Sequence, residues 1–133
     1  EIRGNVLVIN GDTLFKFDIE PAQNLFENNL SKVVLVGSEV QDASRFGTMK
    51  IQNSFVCSFH QATGIVESGI VSSGAYIMHS SLLMDKELKP FSLEYDFFPE
   101  LAIERKLMTY VVDSSKGFFD IGTPDSYKKI YAQ

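Results

Sequence analysis

The stretch Val6-Leu7-Val8-Ile9-Asn10-Gly11-Asp12 constrains the chain more than any other. Four consecutive apolar, mostly β-branched residues without polar alternation read as a strand buried on both faces, central in a sheet. The strand stops at Asn-Gly-Asp. A strand that delivers a carboxylate at its C-terminal tip places that charge where open α/β sheets bind ligands. Gly11 carries no Cβ, so a phosphate or metal can approach the backbone there. Taken alone, Asn-Gly-Asp is equally an ordinary turn, since all three residues favour turns. The choice depends on what the rest of the chain brings to Asp12.

A chain of 133 residues that is 44% hydrophobic is the size of one domain and can bury a core. We expect a single unit over 1–133, although so few residues before a central strand suggest a fold entered midway, with an N-terminal segment missing. No apolar run is long enough to span a membrane and no signal-peptide layout opens the chain, so a cytoplasmic location and no membrane partner are expected. The net charge of −5 without a basic cluster argues against nucleic acid. A phosphorylated ligand would therefore need a metal or backbone amides to offset its charge. The one cysteine, Cys57, lies in the apolar run Phe55-Val56-Cys57-Ser58-Phe59 and is expected to pack rather than react.

Along the chain, Thr13 to Asp18 read as a linker and Glu20-Pro21 opens a helix to about Asn29 with Leu25, Phe26 and Leu30 as its apolar face. Lys32 to Val36 is a second buried strand, parallel to the first. Met49 to Gln52 and Phe55 to Phe59 form a hairpin around Asn53-Ser54. Gln61 to Ser68 is a loop, and Ile70 to His79 is a long strand in which Gly74 marks a bulge or a close approach. Ser80 to Met84 is a short helix. Ser92 caps a helix to about Arg105, with Glu94 and Asp96 stabilising its first turn and Phe97, Phe98, Leu101 and Ile103 facing inward. Leu107 to Val112 is a strand, and Thr123-Pro124-Asp125 starts the last helix. His60 and His79 are each isolated from other histidines, no Cys/His spacing suggests zinc, and both flank apolar strands, so they are expected to be partly buried and hydrogen-bonded rather than ligands.

Phe119-Asp120-Ile121-Gly122-Thr123-Pro124 resembles the Asp-Ile-Gly-Thr-Pro signature of the sugar-phosphate nucleotidyltransferases. Asn10-Gly11-Asp12 is similar to that family's first metal motif. Arg45-Phe46-Gly47-Thr48 is similar to its aromatic-Gly turn, Ser73-Gly74-Ala75-Tyr76 to its Ala-Gly-x-Tyr strand, and Ser92-Leu93-Glu94-Tyr95-Asp96 to its Ser-Leu-Glu-x-Asp helix start. The order and spacing hold over nearly the whole chain, nearest the branch of D-glycero-D-manno-heptose 1-phosphate guanylyltransferase.

The resemblance implies an α/β fold of the nucleotidyltransferase type (Rossmann-like, GT-A-type), a mixed and mainly parallel sheet flanked by helices, lacking its N-terminal part. It implies nucleotidyl transfer from a nucleoside triphosphate to a sugar 1-phosphate, with Mg²⁺ held by Asp12 and Asp120 and with Gly11, Gly47, Gln61 and Ser72 contacting substrate. Mg²⁺ suits such a reaction because it takes one or two carboxylates and leaves its other positions to water and phosphate.

The sequence departs from the family in three places. The glycine-rich loop that cradles triphosphate is absent, as is the lysine after it, so the chain alone is expected to be inactive. Gln61-Ala62 stand where the family has Glu-Lys, with Lys50 or His60 as nearby substitutes, and Ser72 replaces an asparagine. Two other readings stay open: a non-catalytic sugar-phosphate-binding or regulatory relative, and a nucleotide-sugar-dependent glycosyltransferase. An apolar sheet edge left by missing strands would favour a homo-oligomer.

Overall fold

The computed structural model describes residues 2–84, 86, 89–113 and 118–131. Its centre is a six-stranded sheet in the order β1-β6-β3-β7-β5-β4, formed by β1 (Asn5–Ile9), β3 (Val33–Val40), β4 (Thr48–Gln52), β5 (Phe55–His60), β6 (Gly69–His79) and β7 (Leu107–Asp113). A separate ribbon pairs β2 (Thr13–Phe15) with β8 (Phe118–Asp120). Helices α1 (Ile19–Glu27), α2 (Ser81–Met84), α3 (Phe98–Ile103) and α4 (Pro124–Tyr131) complete the described chain.

β3 is the axis of the core. Its side chains alternate between faces, so Val33 and Leu35 join a cluster with Tyr76, Met78, Phe97, Phe98, Leu101 and Leu107, while Val34 and Val36 join one with Ala22, Ala75, Ile77 and Met108. Both faces are covered, the first by α3 and the second by α1. That is why Val33 to Val36 read as an unbroken apolar run, each 0% exposed.

The expectation for the first strand was different from what the sheet provides. Among the described residues β1 lies at an edge, hydrogen-bonded only to β6, and Leu7 and Ile9 are 41% and 56% exposed. β6 runs antiparallel between β1 and β3, so those two strands point the same way without touching. The sheet is mixed, as expected, but among the described residues the one parallel pairing of neighbours is β3 with β7, where mainly parallel pairing was expected. An apolar run of four cannot reveal whether a strand has one neighbour or two.

Local chemistry explains the hairpin and the helix ends. Asn53 and Ser54 both hold positive φ, 51° and 65°, the two left-handed residues that a tight hairpin turn requires. Ser92 Oγ accepts from the Tyr95 amide at 3.2 Å and Asp96 Oδ2 accepts from the Ser92 amide at 2.7 Å, a reciprocal cap. The helix it starts is not uniform: Leu93–Phe97 make one wide π turn, closed by the Phe98 amide on the Leu93 carbonyl, before α3 continues. At its far end the Arg105 amide bonds the Ala102 carbonyl and the Lys106 amide the Leu101 carbonyl, with Arg105 at φ 54°.

Several smaller expectations are corrected. Leu30 lies beyond the end of α1 and is 99% exposed, and Ile103 in the last turn of α3 is 83% exposed, so neither serves an apolar face. Cys57 points away from the core and is exposed, because strand alternation buries Val56 instead. His60 and His79 are exposed rather than partly buried, yet each is hydrogen-bonded, to Ser58 at 3.0 Å and Ser81 at 2.7 Å. No helix among the described residues is long and apolar enough to cross a membrane.

Candidate active site

The stretch from Thr13 to Asp18, expected to be a linker, begins with β2, and β2 is what brings the two ends of the chain together. Thr13 pairs with Asp120, Leu14 with Phe119 and Phe15 with Phe118. The Ile121 amide also donates to the Asp12 carbonyl at 2.8 Å. Antiparallel pairing sets Asp12, just before β2, beside Asp120, the last residue of β8. A ribbon of three residues per strand gives almost no periodic signal, which is why sequence reasoning missed it.

Gly122 is the point at which the carboxylates meet. A Cβ on Gly122 would sit 3.1 Å from Asp120 Oδ1 and 3.3 Å from Asp12 Oδ2. The two acids therefore flank one small space that a side chain at 122 would invade. Asp120 is held from two sides: Oδ1 accepts from the Gly122 amide at 2.9 Å, and Oδ2 pairs with Arg45 Nη2 at 3.0 Å. Asp12 is exposed, and its Oδ1 lies 3.4 Å from the Thr13 hydroxyl.

Arg45 reaches the site from the turn after β3, which is itself anchored. The Ser44 amide donates to Asp42 Oδ1 at 2.9 Å, and the Ser44 hydroxyl and amide hold the Asp42 carboxyl below the usual carboxylate range. The Ala43 amide bonds the Glu67 carbonyl at 2.8 Å. Phe46 stacks edge-on against Phe118, 5.8 Å between centroids, tying this turn to β8.

A second cluster starts two residues before Asp12. The Asn10 amide donates to the Gly74 carbonyl at 2.7 Å, and its side chain would lie 2.7 Å from a Cβ on Gly74, whose φ is +74°. Gly74 is thus a close approach, and it also sits in a bulge where β3 steps from pairing Ala75 to pairing Ser72. Asn10, Tyr76, Ser92, Leu93 and Glu94 line a cavity of about 310 Å³. Tyr76 donates its hydroxyl to Glu94 Oε1 at 2.8 Å, with Ser72 Oγ at 3.4 Å. Burial and the Glu94 charge push the Tyr76 phenol above its ordinary range. Glu94, expected only to stabilise a helix start, is the acceptor of this cluster.

The remaining expected residues are spread out. Ser72 belongs to the Tyr76 cluster, where it also accepts from the Gly74 amide at 3.2 Å. Gly47 lies against the His60 carbonyl, 3.0 Å from where its Cβ would be, and near the Tyr95 hydroxyl at 3.6 Å. Gln61 is exposed after β5, and Gly11 has open space where a side chain would be. Lys50 and His60 do converge, lining a cavity of about 380 Å³ with Thr48, Thr63 and Glu67. Among the described residues no group of three or more His, Cys, Asp or Glu is arranged to hold a metal. A metal at Gly122 would rest on two carboxylates only, hard oxygen donors in the number that Mg²⁺ uses.

The described residues thus form a mixed α/β domain in which two acids, one just before β2 and one at the end of β8, meet beside a Gly-Thr-Pro helix start. The Nucleotidyl transferase family model matches residues 1–133, and the chain belongs to that family. It is 32% identical over 129 residues to the D-glycero-alpha-D-manno-heptose 1-phosphate guanylyltransferase of Aneurinibacillus thermoaerophilus, covering 94% of this chain and 54% of that protein. It is 28% identical over 128 residues to the enzyme of the same name from Campylobacter jejuni, covering 95% and 54%. Among solved structures, HddC from Yersinia pseudotuberculosis superposes with a TM-score of 0.74 at 31% identity, over 95% of this chain and 53% of that one. The same protein complexed with GMP-PN gives 0.72 at 30% identity, with the same coverage. The chain spans about half the length of the curated relatives it matches.

Proposed function

We propose that the full-length protein transfers a nucleotidyl group from a nucleoside triphosphate to a sugar 1-phosphate, releasing pyrophosphate, with Asp12 and Asp120 as the ligands of one Mg²⁺. The observation that carries this is the meeting of the two carboxylates about Gly122, at 3.3 and 3.1 Å from one point. When bound there, Mg²⁺ would neutralise charge on the phosphate oxygens as the phosphorus–oxygen bond to pyrophosphate breaks. The relatives named as guanylyltransferases favour guanosine triphosphate as donor.

The chain's own residues would supply position. The Gly122 amide on Asp120 Oδ1 fixes the plane of that carboxylate. The Tyr76–Glu94 pair, braced by Ser72, offers a hydroxyl and a carboxylate to sugar hydroxyls in the cavity that Asn10 also lines. This reading assigns Gly47 and Gln61 to the sugar as well, from positions outside that cavity. Lys50, beside His60, provides the positive charge that Ala62 cannot.

The test is nucleotide-sugar formation by the full-length protein, with Asp12→Asn and Asp120→Asn. Each should lose about a hundredfold or more in turnover, because loss of charge stabilisation worth about 3 kcal/mol is two decades in rate. Both variants should stay folded, since Asp12 is exposed and Asn at 120 gives up only one exposed ion pair while still able to accept from the Gly122 amide. Unaltered turnover in both would remove the mechanism. Binding of sugar 1-phosphate by wild type without pyrophosphate release would favour a non-catalytic binding protein.

A further inference from the structure

We propose that Arg45 is a built-in counter-ion of the carboxylate pair, occupying Asp120 when no divalent cation is present and competing with that cation for it. The inference rests on the metal reading above but adds a residue and a direction to it. Two carboxylates facing one space repel each other, and a guanidinium on one of them relieves that repulsion. The geometry fits: Arg45 Nη2 is 3.0 Å from Asp120 Oδ2, and Oδ1 already accepts from the Gly122 amide, so both oxygens of Asp120 are engaged.

Arg45 is not built into the core. Its side chain is 58% exposed against 22% for Asp120, so the arginine is the partner free to leave. In the same conformation its guanidinium carbon also lies 5.8 Å from the Phe46 ring centroid, a contact that does not depend on Asp120. The turn beneath it stays in place through Ala43, buried and bonded to the Glu67 carbonyl, and through Phe46 on Phe118. Release of the ion pair therefore needs a side-chain rotation and no backbone change. A site of two carboxylates and one guanidinium has net charge −1, whereas without the guanidinium it has −2 and attracts a divalent ion more strongly. Arg45 thus weakens capture of the bare cation.

The experiment is titration of the full-length protein with Mn²⁺, a spectroscopically visible substitute for Mg²⁺, followed by electron paramagnetic resonance of the free ion. Arg45→Gln should bind Mn²⁺ about three- to fivefold more tightly than wild type, the range of an exposed ion pair, and Arg45→Lys should lie between them. The gap between Arg45→Gln and wild type should shrink in high salt, which screens the exposed guanidinium. Affinity in Arg45→Gln equal to or weaker than wild type would overturn the proposal, while loss of Mn²⁺ binding in Asp12→Asn and Asp120→Asn would leave the metal site standing. Unchanged Mn²⁺ binding in both Asp variants would instead overturn the metal site itself.

Discussion

β3 and the β2–β8 ribbon are held by opposite means. β3 runs through the middle of the sheet with Val33 to Ser38 all buried and neighbours hydrogen-bonded on both edges. The ribbon has three residues per strand, none of them fully buried, and is fastened by a few specific contacts: Phe15 on Phe118 at 6.4 Å, Phe46 on Phe118 at 5.8 Å, and the Ile121–Asp12 backbone bond. The strand that determines whether the chain folds carries no candidate chemistry. The ribbon that carries the acids contributes little to the core, so its residues can differ without the fold being lost.

Two truncations separate the regions. Phe98 is 0% exposed and packs on Tyr76 with centroids 5.1 Å apart and on Phe59 at 6.5 Å. Phe98→Ala should cost about 3–5 kcal/mol and remove most of the stability, read as a lower urea midpoint or loss of the folded baseline. Phe118→Ala removes two ring contacts at the edge and should cost about 1–2 kcal/mol. Its sharper signature is local: hydrogen exchange of the Phe119 and Ile121 amides, which face β2, should quicken while those of Leu35 and Val36 do not change. Equal quickening in both regions would mean that ribbon and sheet unfold as one unit.

The same division explains what could be read from the sequence. The buried strand from Val33, the Asn53-Ser54 hairpin, the long β6 and the Ser92 cap were legible because periodicity, turn residues and capping are local signals. Asp12 and Asp120 were legible only as motif resemblance, since what joins them is a ribbon too short for a pattern to show. The edge position of β1 was hidden because neighbour number is set by β6, more than sixty residues on. Arg45 and Glu94 had ordinary local explanations, a turn and a helix start, and their partners Asp120 and Tyr76 are contacts only the tertiary structure makes.

Tyr76 lies between the core and the cavity that Asn10 and Glu94 line, and its hydroxyl tests how firmly that cavity is tied to the core. It is 2% exposed, and its proton bridges to Glu94. Because burial and Glu94 raise its pKa above the ordinary value, the folded state keeps a proton that the unfolded chain gives up near pH 10. Below about pH 10 both states hold that proton and the contribution to stability is complete. Above it the folded state binds more protons than the unfolded one, so stability falls as pH rises, by up to about 1.4 kcal/mol per pH unit for the one group. Tyr76→Phe should lose about 1 kcal/mol at neutral pH, the net worth of one such hydrogen bond, and lose less than wild type between pH 10 and 11. Urea unfolding of both proteins at pH 7, 9, 10 and 11 measures this. A difference between them that stays constant across that range would mean that Tyr76 titrates alike in both states, and that the cavity opens to water independently of the core.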